Sequence, residues 1–342
     1  MAEARRGAHL GAALKAVVLV GGIGTRLRPL TSTTPKQMLP VGGRPMIERV
    51  LQHLAEHGVD EVVLSLGYRP DAFLDAYPDG ACAGVKLTYA VEDTPLDTAG
   101  AIRFAARFAG FDETFLAVNG DVLTGLDVAA LVAFHRGREA EATIALTPVE
   151  DPSAYGVVPT DDDGRVLQFI EKPSRAEAPT NFVNAGTYVL EPQVLDRIPA
   201  GRRVSIERET FPLLVRKRQL YAMGSDADWL DAGTPATFLA ANLSYANGAT
   251  RLGKVAVGAT VTNSVLGVGV IVEEGAVVEG SVCFDGAHMA SGSVVRSSII
   301  GRDARIESGA VVTDLSMVGD GEVVPAGVRL SAACWPRPEA SS

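Results

Sequence analysis

The chain has 342 residues, 47% of them hydrophobic, with 31 Lys and Arg against 41 Asp and Glu and a net charge of −10. That length suits two domains of about 150 residues each, and the acidic balance argues against nucleic acid as the main partner, so an anionic ligand must be held by a few local cations and backbone N–H groups. Cys82, Cys283 and Cys334 lack metal-ligand spacing and fit a reducing cytoplasm, and without a run of about twenty apolar residues no membrane span is expected.

Residues 1–13 read as a disordered extension, because Lys15 interrupts the apolar stretch after Arg5 and Arg6 that a secretory signal would need intact. Residues 16–20 form a β-branched run that predicts a buried strand. Over 45–58 the spacing of Met46, Ile47, Val50, Leu51 and Leu54 predicts a helix, with Gly58 as its stop. Strands follow at 61–66 and 114–118, a helix at 127–135 and a strand at 142–147. This alternation predicts an α/β, Rossmann-like, mostly parallel sheet with helices on both faces, in which ligands sit beyond the carboxyl ends of strands. The turns at Gly21 and Asp121 lie at such ends.

Near Thr250 the character of the chain changes. Gly269-Val270-Ile271-Val272 is followed six residues later by Gly275-Ala276-Val277-Val278, and 286/292 and 321/327 repeat that spacing. Six residues are too few for a helical repeat and match one face of a parallel β-helix, with a glycine-rich sandwich as the alternative. The expected division is therefore a catalytic domain over 14–245, a β-helix of about four coils over 250–332, and a tail over 333–342. Open ends and few coils make self-association through the β-helix an expectation.

Chemistry concentrates in Leu19-Val20-Gly21-Gly22-Ile23-Gly24-Thr25-Arg26-Leu27-Arg28-Pro29-Leu30-Thr31 with Pro35-Lys36. A glycine-rich turn after a buried strand lets backbone N–H groups approach phosphate oxygens, and Arg26 and Lys36 add cations. A Walker A loop is absent, and Leu27 stands where a dinucleotide fingerprint needs its third glycine. Asp121 in Asn119-Gly120-Asp121, and the distant Asp231, are the right ligand type for a hard Mg²⁺ ion. Read alone, each is a common turn or cap residue, and Glu171-Lys172-Pro173 is a common solvated strand end.

The loop resembles the signature of the sugar nucleotidyltransferases. The resemblance continues through Val91-Glu92-Asp93-Thr94-Pro95-Leu96-Asp97-Thr98-Ala99-Gly100, Val118-Asn119-Gly120-Asp121, Tyr155-Gly156-Val157-Val158, Phe169-Ile170-Glu171-Lys172-Pro173, Asn184-Ala185-Gly186 and Trp229-Leu230-Asp231-Ala232-Gly233-Thr234, over residues 15–240. Asp151-Pro152-Ser153-Ala154-Tyr155-Gly156 and Val204-Ser205-Ile206-Glu207-Arg208-Glu209-Thr210 resemble the mannose-1-phosphate guanylyltransferase branch, many of whose members end in a left-handed hexapeptide β-helix.

The resemblance implies transfer of a nucleotidyl group, GTP and mannose-1-phosphate being the leading pair, with Mg²⁺ on Asp121 and Asp231. It implies a nucleotide site of Leu19, Gly21, Gly22, Gly24, Thr25, Arg26, Lys36, Asp97, Thr98 and Gly120. It implies a sugar-phosphate site of Gly156, Glu171, Lys172, Asn184 and Gly186, with Arg26, Lys36 and Lys172 catalytic. Two departures bear on the substrate: Asp97 stands where the family has glycine, and Gln37 follows Lys36 as in the thymidylyltransferases. Thymine or adenine with glucose-1-phosphate, and a cyclitol or modified-sugar phosphate, stay open. So does a regulatory subunit that only binds nucleotide-sugar, although the intact Arg26, Lys36, Asp121, Lys172 and Asp231 argue against it. An acyltransferase site in the β-helix is disfavoured because His288 is its single histidine.

Overall fold

The computed structural model describes residues 14–246 and 253–337; the expected extension over 1–13 and the end of the expected tail, 338–342, lie outside them. The first unit contains, in order, β1 (Leu14–Leu19), β2 (Pro40–Val41), β3 (Arg44–Pro45), α1 (Met46–Glu56), β4 (Val59–Leu66), α2 (Pro70–Ala76), β5 (Ala81–Cys82), β6 (Val85–Val91), α3 (Asp97–Phe108), β7 (Phe115–Asn119), β8 (Val122–Thr124) and α4 (Val128–Gly137). It continues with β9 (Ala142–Pro148), β10 (Gly156–Val157), β11 (Ile170–Glu171), β12 (Phe182–Leu190), α5 (Phe211–Arg216), β13 (Leu220–Gly224), β14 (Trp229–Asp231) and α6 (Pro235–Tyr245).

Strand β1 is central, parallel to β4 on one side and β7 on the other. Alternate residues of a strand face opposite ways. Ala16 and Val18 accordingly join the core that holds Met46, Ile47 and Leu51 of α1, while Val17 joins the core that holds Ala99, Ile102 and Ala105 of α3. Burial on both faces explains why β1 reads as an unbroken apolar run after Lys15. The predicted apolar face of α1 is the buried one, and Asp127 caps α4 by accepting the Ala130 N–H at 2.9 Å. The sheet is mixed, because β12 runs antiparallel to both β7 and β9. Helices on its two faces give the α/β architecture expected.

The second unit is three parallel sheets of five strands each. One face stacks Lys254, Ile271, His288, Arg305 and Val323 as successive partners, so each coil adds one rung. The described residues form five rungs rather than about four; the last includes Cys334–Trp335, paired with Met317–Val318, beyond the expected end at 332. The three-sided coil fits the hexapeptide β-helix. Its interior is an apolar core built from Leu266, Val272, Val278, Cys283, Met289 and their successors in the stack. On one face the outward residues are also apolar: Val265, Val282, Ile299 and Met317 are buried in the core that contains α1 and α6. Phe284 meets Phe238 of α6 edge-to-face, centroids 6.3 Å apart. The β-helix therefore docks on the first unit through one of its three sides.

Candidate active site

The glycine loop leaves the carboxyl end of β1 and folds back on itself. Gly24 has φ 67°, a left-handed conformation that favours glycine. The Thr31 hydroxyl donates to the Gly24 carbonyl at 2.8 Å and closes the loop. Thr25 opens the short helical turn Thr25–Leu27 that carries Arg26. A side chain at Gly22 would meet nothing within 4 Å, so this stretch of backbone is open to a ligand.

The turn after β7 is pinned against this loop. Gly120 donates to the Leu19 carbonyl at 2.9 Å, and a Cβ on Gly120 would fall 2.8 Å from that same oxygen. The next residue is Asp121. Strand β14 pairs antiparallel with β8, setting Asp231 opposite Val122, so two residues distant in sequence reach one place. Lys36 donates to the Asp121 carboxylate; its own side chain is only 9% exposed. The Arg26 guanidinium and an Asp231 oxygen converge on Gly233: a Cβ built there would lie 3.0 Å and 2.7 Å from them. Arg26, Lys36, Asp121 and Asp231 thus form one cluster of two cations and two carboxylates. Burial, and then the neighbouring Asp121 charge, raise the Asp231 pKa from its ordinary value, against the opposing pull of Lys36 and Arg26.

The expected sugar-phosphate residues gather on the next part of the sheet. Gly156 pairs with Glu171 across β10 and β11, and a Cβ on Gly156 would fall 2.5 Å from the Phe169 ring. This glycine makes room for a neighbouring aromatic side chain. Lys172 has φ 49°, donates its backbone N–H to Tyr155 at 3.0 Å, and carries an exposed side chain with Nζ 3.9 Å from Glu171. Gly186 has φ 74°, and a Cβ there would lie 2.7 Å from the Asn119 amide. Asn184 uses both ends of its amide within the protein: Nδ2 donates to the Tyr188 hydroxyl at 2.9 Å, and Oδ1 accepts from the Gly186 N–H at 3.0 Å. It holds the irregular register of β12, and any bond to a sugar hydroxyl would be additional. Sequence reasoning assigned no role to Arg208, whose guanidinium lies 3.9 Å from Glu171, or to Glu207. Both stand in the quoted 204–210 string, but nothing local in that string says that it folds beside β11.

The third part is a cavity of about 460 Å³ lined by Leu19, Gly21, Asp97, Thr98, Glu92 and Arg203, among others. Glu92 shapes its rim by accepting from the Ser65 hydroxyl at 2.9 Å and the Leu96 N–H at 3.0 Å. Thr98 accepts the Ile206 N–H at 2.8 Å and donates to Glu207 at 2.9 Å, which ties α3 to the turn that carries Arg208. Asp97 occupies the left-handed conformation with φ 60°, the geometry that suits the family glycine. Its carboxylate caps the Thr98 N–H at 2.8 Å, which offsets part of the backbone cost. In Asp97→Gly we expect relief of that strain and loss of the helix-start carboxylate to compensate within about 1 kcal/mol. We expect the nucleoside triphosphate KM to fall about 3-fold as one repulsive charge leaves the cleft. Thermal melting and steady-state kinetics check both, and a raised KM would contradict the second.

Other candidates recede. The rings of His53 and His57 lie 4.6 Å apart, but among the described residues no group of three or more His, Cys, Asp or Glu is placed to hold a metal ion. His288 is tied to Glu273 at 2.7 Å. Burial pushes the thiols of Cys82 and Cys283 up to about 11 and about 12, which removes them as nucleophiles at neutral pH. Among the described residues no helix is long and apolar enough to cross a membrane.

Two family descriptions match the chain: "Nucleotidyl transferase" over residues 15–248 and "GMPPB C-terminal domain" over residues 250–336. The chain belongs to the nucleotidyl transferase family. This nucleotidyl transferase is 44% identical over 237 residues to the mannose-1-phosphate guanylyltransferase of Mycobacterium tuberculosis, a match that covers 68% of this chain and 65% of that relative. It therefore spans slightly under two thirds of that relative's length. It is 39% identical over 265 residues to the mannose-1-phosphate guanyltransferase of Yarrowia lipolytica, covering 76% of this chain and 72% of the relative. The crystal structure of HddC from Yersinia pseudotuberculosis complexed with GMP-PN superposes with a TM-score of 0.58 at 27% identity, covering 68% of this chain and 99% of that one.

Members of this family work with a divalent metal, and the residues of this nucleotidyl transferase fit one. Asp231 Oδ1 is buried with no hydrogen-bond partner, an arrangement that costs free energy unless a cation completes it. Two carboxylates without a third protein ligand suit a hard ion that takes its remaining oxygens from water and phosphate.

Proposed function

We propose that this nucleotidyl transferase joins GTP and mannose-1-phosphate to give GDP-mannose and pyrophosphate. The observation that carries the reading is the cluster of Arg26, Lys36, Asp121 and Asp231 beyond the ends of β1 and β7, next to the 460 Å³ cavity that Leu19 and Gly21 line. The guanylyl and mannosyl assignment draws on the relatives' names. The proposed division of labour is catalysis by the first unit, with the β-helix, whose last rung reaches Trp335, as a separate unit docked on it.

A phosphate oxygen of the sugar-1-phosphate attacks the α-phosphorus of the nucleoside triphosphate. The bond from that phosphorus to the bridging oxygen breaks, and pyrophosphate leaves. Both reactants are polyanions, so positioning and charge neutralisation dominate. Lys172 holds the attacking phosphate, and Glu171 accepts from sugar hydroxyls. Arg26, Lys36 and the amides of Gly21, Gly22 and Gly24 hold the leaving pyrophosphate. No general base is needed, because the attacking oxygen is already ionised. Asp121 and Asp231 would hold Mg²⁺, which when bound supplies positive charge against the reacting phosphates.

The same reading makes the protein cytoplasmic, in keeping with its free cysteines. It also makes it a homo-oligomer through the β-helix faces that its own first unit leaves uncovered. The test is a matrix of nucleoside triphosphates against sugar-1-phosphates, scored by pyrophosphate release with Mg²⁺. GTP with mannose-1-phosphate should give the highest kcat/KM. Another preferred pair would overturn the substrates, and silence across the matrix would overturn the reaction.

A further inference from the structure

The glycine loop runs directly into a strap, residues 28–33, that lies on the β-helix. A Cβ added to Gly319 would stand 3.2 Å from Pro29 Cβ and 3.3 Å from Pro29 Cγ. The Cys334 thiol donates to the Arg28 carbonyl at 3.3 Å. The Asp320 carboxylate accepts the Arg302 N–H at 2.8 Å and faces the Thr33 side chain. These three contacts come from the last two rungs. On its inner side the strap reaches the loop through Thr31, which is fully buried and bonds the Gly24 carbonyl. Leu27 and Leu30 are buried in the same core as Val282, Ile299 and Met317 of the docked face. Arg26 is thus two residues from a carbonyl held by the β-helix.

We propose that the last two rungs of the β-helix are a positioning element for the phosphate loop, acting through the strap 28–33, and that Gly319, Asp320 and Cys334 thereby set the enzyme's affinity for nucleoside triphosphate and pyrophosphate. A packed interior passes a displacement on rather than absorbing it. The strap has little freedom of its own: Tyr68 donates to the Thr31 and Ser32 carbonyls at 3.3 and 3.2 Å, and Arg69 to the Thr33 carbonyl at 2.9 Å. A push at Pro29 is therefore passed toward Gly24 and Arg26. The Lys172 side of the site stands on β10 and β11 and has no such connection among the contacts described. The two substrates should respond differently. The inference rests on the proposed role of residues 19–36 as a phosphate cradle.

The experiment uses the full chain with Gly319→Val, Asp320→Asn and, as a control on the last rung, Val323→Ala, at a residue that is 43% exposed. Constants are measured in both directions, together with equilibrium titration of a fluorescent GTP analogue and hydrogen exchange of peptides covering 19–33. Gly319→Val should raise KM for the triphosphate and for pyrophosphate about 10-fold, since small misplacements of positioned groups have effects of that order. The KM for sugar-1-phosphate should stay within about 2-fold. Asp320→Asn should move the same constants less, Val323→Ala should move none, and exchange over 19–33 should quicken in the first two. Equal changes in all three substrate constants, or folded variants with unchanged triphosphate and pyrophosphate constants, overturn the inference. If Gly319→Val does not fold, Gly319→Ala and Asp320→Asn carry the comparison on the same terms. A parent enzyme without turnover or exchange defeats the proposed function; an active parent with indifferent variants defeats this inference alone.

Discussion

Asp121→Ala is expected to lower kcat by about 10³-fold or more while the protein stays folded. The carboxylate stands at the end of β7, where Gly120 is clamped to β1, and it is the group that Lys36 faces. Alanine keeps that backbone and removes the charge. The companion change, Asp231→Asn, should be equally inactive yet more stable. The Asp231 pKa is raised in the folded protein, by burial first and the Asp121 charge second. The folded state therefore binds this proton more tightly than the unfolded chain does. Its contribution to stability is full below the ordinary carboxylate pKa and is lost as pH rises through the folded value. At neutral pH the ionised group is a net cost, which asparagine removes. Without added metal, Asp231→Asn should melt about 2 °C or more above the parent at pH 7, with the gap closing as pH falls below the ordinary carboxylate range. Near-parental pyrophosphate release by folded Asp121→Ala would sink the metal assignment. An Asp231→Asn protein less stable than the parent at pH 7 would sink the electrostatic one.

Lys172→Ala should raise the KM for sugar-1-phosphate about 10²-fold, the size expected for losing a charge-assisted bond to phosphate. The nucleoside triphosphate KM should stay nearly unchanged. The lysine side chain is 61% exposed, against 9% for Lys36, and its nearest anion is Glu171 at 3.9 Å. It is thus the less committed of the two cations and can swing to a substrate. Stability should barely move, since an exposed pair at that distance contributes little. Lys172→Arg should recover only part of the loss, because a forked guanidinium does not reproduce a compact point charge. Initial rates with each substrate varied in turn decide the matter; an unaltered sugar-1-phosphate KM would remove Lys172 from the site.

Much of the scaffold was readable because its periods are simple. The apolar run of β1, the helical face of α1 and the six-residue glycine spacing each report a local geometry that one stretch of chain sets by itself. What escaped depends on distant partners. Nothing around Phe182–Leu190 announces that β12 will run antiparallel to its neighbours, because strand direction follows from connections on either side. The outward Val265, Val282, Ile299 and Met317 look in sequence like interior residues, since a β-helix side is apolar on both surfaces wherever another unit covers it. A local partner can escape too: the Asn184 amide, expected to address a sugar, is bonded at both ends to Tyr188 and Gly186, only a few residues away. Residue type identifies a capable group; it does not say which neighbour has already engaged it.

The bond from Thr98 to Glu207 has a bearing on redesign. Thr98 lines the large cavity, while Glu207 belongs to the same turn as Arg208, which reaches toward Glu171. Under the proposed function, choice of base and choice of sugar are consequently coupled. Grafting 92–100 from an enzyme that uses another nucleotide would present Glu207 with a foreign partner and disturb the sugar it was not meant to alter. A chimera that moves 204–209 together with 92–100 keeps the pair intact.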